Sequence, residues 1–414
     1  MNANYIIITK YCIICGEIKD PIMVLTRNYK FRLYPNNSQE KKLQNNLSVC
    51  RWVYNKFVEC SKKGFVSRND CNYYLTELKQ SEDWLYQYHS KMLQSISTQI
   101  DGAQKALIEL NKKGYKTGKL RFCRYNDYRT FTYNQSGFNL EIHSDKTLLY
   151  LSKIGYIEIR KHRDIPTGAN IKQVIITKSK SGKWFACLTI GIEESLTNIP
   201  KISFSRSVGI DVGIKSFAYD SNENQTPNPK NLQKMLKPLR RIQRKVSRRK
   251  KGSNNRLKAI KHLQRIHEKI VNRRNDFQHK LSAQYAKNND IVFVEKLETL
   301  NMVKNHRLAQ SIMDASWDTF LQKLEYKCKM LVEVPSRNTT VNCSRCGYAV
   351  PKSLAIRIHR CDKCGLILNR DHNASINILN KGLNRLPQEL REVTLVENPK
   401  GSMKQEKTTA LIWW

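Results

Sequence analysis

The sequence predicts a fold of two parts: a small β-barrel with a helical insert, and a following α/β domain that carries a zinc knuckle. Short strand-like runs separated by Gly, Ser, Asn and Pro occupy residues 120–192, which is typical of an all-β domain. From Ser207 onward, short apolar runs alternate with segments of helical spacing, which is typical of an α/β domain. Two close pairs of cysteines between residues 343 and 364 predict the metal site.

The composition indicates a soluble protein that binds a polyanion. The chain has 414 residues, enough for two or three domains with their own cores. Its 73 Lys and Arg against 35 Asp and Glu give a net charge of +38, which makes nucleic acid the first partner to consider. It contains no run of about 18 apolar residues, so we expect no membrane span and a cytoplasmic location. Twelve cysteines with few close pairs favour a reducing compartment over a disulfide framework.

The predicted β-barrel begins at Asn28, because residues 29–34 alternate like a strand and end at Pro35. Apolar residues then recur every three or four positions from Ser38 to about Leu110, which predicts helices. Further runs predict strands at Leu148–Leu151, Ile157–Ile159, Val174–Ile176 and Trp184–Ile192.

This pattern assigns residues 28–45 and 119–200 to the barrel and residues 46–118 to the helical insert. Residues 1–27 form an N-terminal extension. It contains Cys12 and Cys15, which are more readily explained as incidental cysteines than as half of a second knuckle, because no partner pair lies nearby.

A basic helical hairpin is predicted between Lys230 and Lys280. This stretch has 19 Lys and Arg against Glu268 and Asp276, a net charge of +17, and residues 252–255 form its turn. The apolar stripe of each helix supports the assignment: Met235, Leu239, Ile242 and Val246, then Leu257, Ile260, Leu263, Ile266 and Ile270. Charge runs are usually solvated faces, but an almost single-signed surface is unusual, so we expect nucleic-acid contact.

Aromatic residues that lie among basic ones are a further candidate for nucleic-acid contact, because bases stack on aromatic rings. We expect most of them to be core residues instead. They fall into two groups: Trp52, Tyr54 and Phe57, then Tyr125, Tyr128, Phe131 and Tyr133.

The cysteine spacing C-x2-C-x14-C-x2-C predicts a zinc site. Each pair forms a knuckle whose two thiolates share one ion, and four such ligands close a tetrahedral Zn²⁺ site. No coordination position remains open, so this zinc is expected to be structural. His359 is expected on the surface and not as a ligand. The ligands are Cys343, Cys346, Cys361 and Cys364.

Three acidic residues at the ends of predicted elements form a candidate catalytic site. Asp211 ends the apolar run Val208–Ile210, Glu295 ends the run Ile291–Val294, and Asp371 lies where helical spacing begins after the knuckle. An acid at a strand end is usually a turn or capping residue. Acids from three separate elements, however, are what a nuclease needs to hold two metal ions against a phosphodiester. Carboxylates suit Mg²⁺ or Mn²⁺, so these residues predict a metal-dependent nuclease.

In this order, the motifs resemble those of the TnpB family, the OrfB proteins of bacterial and archaeal insertion sequences, which are related to compact type V CRISPR effectors. The similarity extends from about Tyr29 to Leu383. The first 22 residues lie outside the pattern, and Met23 is where such proteins commonly begin, so the start of the chain is expected near Met23. The resemblance rests on residues 29–35, Ser152–Gly155, Ser181–Trp184, Gly209–Gly213, Val294–Glu295, the four cysteines and Asn369–Asn373.

The resemblance implies an RNase H-like (RuvC) nuclease domain with an inserted zinc ribbon, preceded by a wedge-like β-barrel with a helical recognition insert. Asp211, Glu295 and Asp371 match the catalytic acids of the family. The implied segments are the nuclease domain at 201–337 with the hairpin at 230–280, the zinc ribbon at 338–368, the last nuclease segment at 369–385 and a C-terminal tail at 386–414.

The resemblance also implies an RNA-guided DNA endonuclease, with a guide RNA from the transposon end and double-stranded target DNA recognised beside a short motif. Two other functions remain open. A transposase that joins DNA ends would use similar acids, whereas a nucleic-acid-binding regulator would not cut, and the intact acids argue against it.

Overall fold

In the computed structural model, contacts divide the chain into two units. The β unit holds residues 5–195 together with Pro238–Glu268, and the α/β unit holds residues 202–237 and 269–386. Cys12, Cys15 and residues 387–414 of the predicted tail lie outside the described residues. The structure describes residues 5–8, 22–62, 64–166, 170–195, 202–353 and 356–386.

The β unit is built on an antiparallel sheet of eight strands, in the order β3-β7-β8-β2-β6-β5-β4 with β1 paired to β2. These strands are β1 (Tyr5–Ile8), β2 (Ile22–Tyr34), β3 (Thr130–Asn134), β4 (Phe138–Ile142), β5 (Thr147–Leu151), β6 (Gly155–Arg160), β7 (Asn170–Lys178) and β8 (Trp184–Ser195). The four later runs predicted as strands are confirmed in β5 to β8, and the first strand begins at Ile22 instead of Asn28.

The closed barrel predicted for this unit is not found among the described residues. The sheet path ends at β3 on one side and β4 on the other, and no pairing joins these two strands there. In β4 no residue is fully buried, as expected of an edge strand, whereas β5 alternates between buried and half-buried residues.

The predicted helical region of the β unit is confirmed as three helices: α1 (Asn37–Ser61), α2 (Arg68–Ser81) and α3 (Ser90–Lys112). α1 begins with a capping box in which the Asn36 side chain accepts from the backbone of Gln39, and Ser67 does the same for α2. The apolar positions that predicted the helices, such as Leu47, Phe57 and Ile96, are buried in one core with the inner face of the sheet.

The predicted basic hairpin consists of α4 (Asn231–Arg248) and α5 (Asn254–Asn288). The chain breaks between the helices at residues 249–253, slightly earlier than the predicted turn. Leu239, Ile266 and Ile270 of the apolar stripes are buried, but Leu257 is exposed. Within the β unit, an open surface groove on α4 is lined by Arg240, Gln243, Arg244, Ser247 and Arg248.

The aromatic groups are mostly core residues, as expected. Phe57, Phe131 and Tyr133 are buried, and Trp52, Tyr54 and Tyr128 pack partly buried against the same core. The exception is Tyr125, whose side chain is 57% exposed. In the parts of the chain that the structure covers, no helix has both the length and the apolar character required to span a membrane.

The α/β unit has a five-stranded sheet in the order β11-β10-β9-β12-β13. β9 to β11 form an antiparallel meander, and β12 and β13 run parallel to β9. Val208 and Ile210 of β9 and the apolar residues of β12 are buried, which is typical of strands covered on both faces. The strands are β9 (Ser207–Val212), β10 (Ser216–Asp220), β11 (Gln225–Pro227), β12 (Ile291–Lys296) and β13 (Met330–Pro335).

Four helices and a small hairpin complete the described part of this unit. They are α6 (Thr299–Met302), α7 (His306–Ala315), α8 (Trp317–Glu325), the strands β14 (Ile358–Arg360) and β15 (Ile367–Asn369), and α9 (Arg370–Arg385). The predicted strand ends at Asp211 and Glu295 and the predicted helix start near Asp371 are confirmed to within a residue or two.

Candidate active site and metal centre

Two of the three predicted acids lie side by side on two adjacent inner strands of the α/β unit, β9 and β12. β9 and β12 are parallel, and Ile210 is in register with Val294. The next residue on each strand is therefore Asp211 and Glu295, and neighbours in register on parallel strands share a face of the sheet. Strand register alone brings together two carboxylates that are 84 positions apart in the sequence.

The third acid reaches the same region because α9 packs against these two strands at very short range. Gly209 allows this contact: a Cβ atom there would collide with the carbonyl oxygen of Ser375 and lie 2.6 Å from the backbone nitrogen of Leu379. Gly382 serves the same purpose on the helix, where a Cβ atom would collide with the ring of Phe293 on β12. Two glycines thus set the distance between α9 and the strands that carry Asp211 and Glu295.

The beginning of α9 is held by its own cap and by a ring contact. The Asn369 side chain accepts a hydrogen bond from the backbone nitrogen of Asp371 at 2.9 Å. His372 stacks on Tyr219, with 5.5 Å between ring centroids. Tyr219 is the β10 residue paired with Asp211, so the ring contact fixes the first turn of α9 beside Asp211.

Substituting Gly209 by alanine is expected to destabilise the protein, because the added Cβ atom meets backbone atoms of α9 that cannot turn aside. Overpacking of this kind costs about 1–3 kcal/mol of unfolding free energy, and the helix that carries Asp371 must shift. Urea unfolding of the variant measures the loss. Gly118→Ala is the matched control, because nothing lies within 4 Å of a Cβ atom there. Equal stability of the two variants would contradict the packing argument.

The carboxyl of Asp211 is influenced by both other acids. Burial has the largest effect on the pKa of Asp211 and raises it well above its ordinary value, and the negative charges of Glu295 and Asp371 raise it further. The positive charges of Arg370 and Arg357 act in the opposite direction. Negative charges around a buried carboxyl such as that of Asp211 favour a bound cation, which would remove the repulsion.

Glu295 is buried, and its carboxylate is held by a residue of the segment that precedes the cysteines. The Thr339 hydroxyl donates to the Glu295 carboxylate. Burial raises the pKa of Glu295, and Thr339 and Lys381 partly offset this rise. The backbone oxygen of Thr339 accepts from Asn377 Nδ2 of α9 at 2.8 Å. The same helix that carries Asp371 therefore also positions the partner of Glu295.

Two arginines lie against Asp371. Arg357 Nη1 is 3.4 Å from Asp371 Oδ1, and Arg370 Nη2 is 3.3 Å from the same oxygen. Arg357 and Thr339 could not be predicted from the sequence, because a lone Arg or Thr outside a predicted element carries no positional signal, and Arg370 stood in the Asn369–Asn373 motif without a role. The structure finds them only through their contacts with the acids.

The four predicted cysteines form a compact cluster that could hold a metal ion. Their sulfur atoms all lie within 4.8 Å of one another, and two of the pairs, Cys343 with Cys364 and Cys346 with Cys361, are 3.5 Å apart. Four thiolates at about 2.3 Å from one ion would be roughly 3.8 Å apart. Among the described residues this is the one such group of His, Cys, Asp or Glu ligand atoms, and the three acids do not form a second one.

Each cysteine pair closes a tight knuckle through the glycine that follows it. Gly347 and Gly365 both have φ +72°. Their backbone nitrogens donate to the carbonyl oxygens of Cys343 and Cys361 at 2.9 and 2.8 Å. Burial by itself would raise the pKa of Cys343. Hydrogen bonds from the backbone of Cys346 and Arg345 help to outweigh this effect and lower the pKa to about 6. A thiolate is the form that binds a metal ion.

His359 is not on the surface, contrary to the sequence-based expectation. It lies on β14 between Ile358, which is 61% exposed, and the exposed Arg360, while its own side chain is fully buried. Successive side chains on a strand point to opposite faces, so His359 points inward while its two exposed neighbours point outward. Its Nδ1 contacts the Lys352 ammonium, and it is not among the four ligands of the cluster.

Two asparagines of α9, Asn373 and Asn377, bind the backbone next to Cys343. Asn377 Nδ2 donates to the carbonyl of Asn342 at 2.7 Å. Asn373 Oδ1 accepts from the backbone nitrogen of Ser344 at 2.9 Å, and its Nδ2 donates to the carbonyl of Asn342 at 2.8 Å. Asn373 is fully buried and lies two residues after Asp371. The first knuckle is thereby fastened to the helix turn that carries the third acid.

Comparison with known proteins assigns the family. A protein of Streptomyces pristinaespiralis named "Putative RNA-guided DNA endonuclease" is 33% identical over 375 residues, covering 86% of this chain and 89% of the relative. The chain belongs to the OrfB (TnpB) family. InsQ of Escherichia coli K12, which carries the same designation, is 28% identical over 86% of this chain and 92% of its own length.

Three family models match separate parts of this OrfB protein. One described as a probable transposase matches residues 196–306, and the Cas12f1-like TNB domain matches residues 317–378, which include the four cysteines and Asp371. A helix-turn-helix model matches residues 23–65, where the structure has β2 and α1.

A solved structure supports the fold. The mini-RNA-guided endonuclease CRISPR-Cas phi3 superposes with a TM-score of 0.50 at 9% identity, covering 91% of this chain and 93% of that protein. The two proteins therefore share a fold although little of their sequence is alike.

Proposed function

We propose that this chain is a transposon-encoded, RNA-guided DNA endonuclease that hydrolyses phosphodiester bonds with divalent metal ions held by Asp211, Glu295 and Asp371. The family membership supports the guided activity, because relatives matched over most of their length carry that designation. The register of β9 and β12, which sets Asp211 beside Glu295, carries the assignment of the site.

The sheet of the α/β unit supports an RNase H-like (RuvC) nuclease domain. Its order is an antiparallel meander of three strands, the first of which lies beside two parallel strands. The acids lie on the adjacent inner strands β9 and β12 and on the helix packed across them. In an open α/β sheet, ligands are typically bound beyond the carboxyl ends of the central strands.

The donor set fits hard divalent cations. Three carboxylates on separate elements suit Mg²⁺ or Mn²⁺, and the raised pKa of Asp211 reflects burial and then the neighbouring negative charge, which a cation would compensate. When bound, such ions activate water as a nucleophile and stabilise the charge on the leaving oxygen. The chain contributes the rest: Thr339 orients Glu295, and Arg357 and Arg370 place positive charge beside Asp371, where a phosphate would approach.

The four thiolates are proposed to bind one structural Zn²⁺. Cysteine sulfurs fill all four tetrahedral positions, which leaves no site for substrate. The ion would stabilise the segment that supplies Arg357 and that Asn373 fastens to α9.

The proposed partners are a guide RNA derived from the transposon end and double-stranded target DNA. A net charge of +38 and the arginine-lined groove on α4 suit a polyanion. In guided systems base pairing reads the target, and the protein contacts backbone and a flanking motif.

Removal of the hydroxyl that supports Glu295 is expected to weaken metal use without abolishing it. The Thr339→Val variant keeps the shape of the side chain and loses the hydrogen bond to the carboxylate. Outer partners of metal ligands typically contribute 10–100-fold in metal affinity or activity, so the Mg²⁺ concentration for half-maximal cleavage should rise by about that factor. The measurement is the cleavage rate against Mg²⁺ concentration.

Thr299→Val is the matched control, because Thr299 also donates to a carboxylate, Asp318 at 2.9 Å, but to one outside the three acids. The control should titrate like the wild type. An unchanged Mg²⁺ requirement in Thr339→Val would show that Glu295 does not bind the metal through an oriented carboxylate.

The function is tested by sequencing the RNA that copurifies with the expressed protein and then replacing its guide portion. One discrete RNA from the end of the element is expected, and cutting should follow the new guide on plasmids that carry a library of flanking motifs. Random RNA fragments, or cutting that ignores the guide, would refute guidance. Products with joined DNA ends would indicate a transposase instead.

A further inference from the structure

The loop between α3 and β3 combines positive charge with exposed aromatic rings. In residues 113–129, here called the basic-aromatic segment, six Lys and Arg accompany a single acid, Asp127. Most of the segment is irregular, and it ends at the start of β3. Its exposed aromatic residues are Tyr115, Phe122 and Tyr125, which are 63%, 49% and 57% exposed. Exposure of three large rings in one loop has no explanation in the fold itself.

The basic-aromatic segment is nevertheless held firmly in place. Asn55 of α1 binds the backbone of Cys123 twice: its Oδ1 accepts from the nitrogen at 2.7 Å and its Nδ2 donates to the oxygen at 3.2 Å. Leu120 and Tyr128 pack against the core of the β unit, and the Tyr128 hydroxyl donates to Gln99 at 3.2 Å. Inward anchors at three points therefore hold the outward rings as a fixed platform.

Two of the exposed rings already carry a cation on one face. The Lys62 ammonium lies 4.0 Å from the ring centroid of Phe122, and the Arg51 guanidinium lies 5.7 Å from that of Tyr125. Both residues remain about half exposed, so each ring still has surface available for a ligand. Exposed ring surface beside a cation suits a planar aromatic group that is flanked by negative charge.

We propose that the basic-aromatic segment binds unpaired nucleotides of RNA, with bases stacked on Phe122 and Tyr125 and phosphates near its Lys and Arg side chains. The proposal rests on the proposed function, which supplies the RNA partner. Unpaired bases present the open faces that a platform of rings requires, whereas bases in a duplex are already stacked. The exposed phenol hydroxyl of Tyr125 has no hydrogen-bond partner among the described residues and can bond a ribose 2′-hydroxyl, which favours RNA over DNA.

The test measures binding of the full-length protein to a short fluorescent oligouridine, the same sequence in DNA, and an RNA duplex. The double variant Phe122→Ala, Tyr125→Ala removes the rings and keeps every charge. Loss of one stacked base weakens binding about tenfold, so each missing ring should cost about that factor for single-stranded RNA. Duplex binding should not change, and the salt dependence of binding should keep its slope, because no phosphate-binding cation is lost.

Tyr86→Ala is the matched control. Tyr86 is 60% exposed and lies 5.7 Å from a lysine ammonium, but it is outside the basic-aromatic segment. Wild-type binding by the double variant, or an equal loss for the RNA duplex, would overturn the proposal. Equal binding of DNA and RNA would overturn the choice of RNA. If the wild type shows guided cleavage and the ring variant binds RNA normally, this inference alone fails. If the wild type shows no guided cleavage but the ring variant loses binding of single-stranded RNA, the proposed function alone fails.

Discussion

Replacement of Asp211 by asparagine should abolish DNA cleavage while the protein still binds its nucleic acids. The substitution removes one negative charge from a site where three carboxylates interact, and it leaves the shape of the side chain and the strand register intact. Metal ions in such sites contribute several kcal/mol to transition-state stabilisation, so the cleavage rate should fall by roughly a thousandfold or more. Single-turnover cleavage of a guide-matched plasmid gives the rate, and gel-shift titration gives the affinity.

A carboxylate on the neighbouring strand provides the control. Glu333 lies on β13 and is exposed. The next residue, Val334, is in register with Glu295, and successive side chains on a strand point to opposite faces. Glu333 therefore occupies the opposite face of the sheet, and Glu333→Gln should cut at the wild-type rate. Cleavage by Asp211→Asn as fast as by this control would remove Asp211 from the mechanism and leave a protein that binds without using these acids.

The positions of the acids could be predicted from the sequence because each one lies at a change of pattern. Uninterrupted apolar runs before Asp211 and Glu295 are typical of strands buried on both faces, and the structure buries both runs. Asp371 lies where helical spacing begins after the knuckle, and the structure caps α9 with Asn369. What the local pattern did not contain was the pairing of β9 with β12, which only tertiary structure supplies.

The features that sequence reasoning missed depend on contacts between distant residues. Whether a sheet closes into a barrel is decided by its first and last strands, and no periodicity records that β3 and β4 remain apart among the described residues. The role of Gly209 became clear only with Ser375 and Leu379 packed against it. His359 was misjudged because a three-residue strand is too short to show the alternation that turns it inward.

Substitution of Cys361 by serine should eliminate metal binding by the cysteine cluster and, with it, DNA cleavage. Cys361 is fully buried, and its sulfur is 3.5 Å from that of Cys346. Structural zinc contributes an apparent free energy of about 10–16 kcal/mol to the folding of small domains, so loss of one thiolate should unfold the segment around the cluster. The acids themselves are untouched. Cleavage should nevertheless fail, because Arg357 and the contact between Ser344 and Asn373 depend on that segment.

Zinc content by elemental analysis, thermal unfolding and cleavage rate together separate the possible outcomes. The expected result is one zinc ion per wild-type chain, none in Cys361→Ser, a lower melting temperature and loss of cutting. Cys60→Ser is the matched control, since Cys60 is a partly exposed free cysteine on α1. A variant that retains zinc would show that the thiol cluster is not the site. A variant that loses zinc and still cuts at the wild-type rate would show that the cluster does not support the acids, and the link through Asn373 would then be packing without consequence for catalysis.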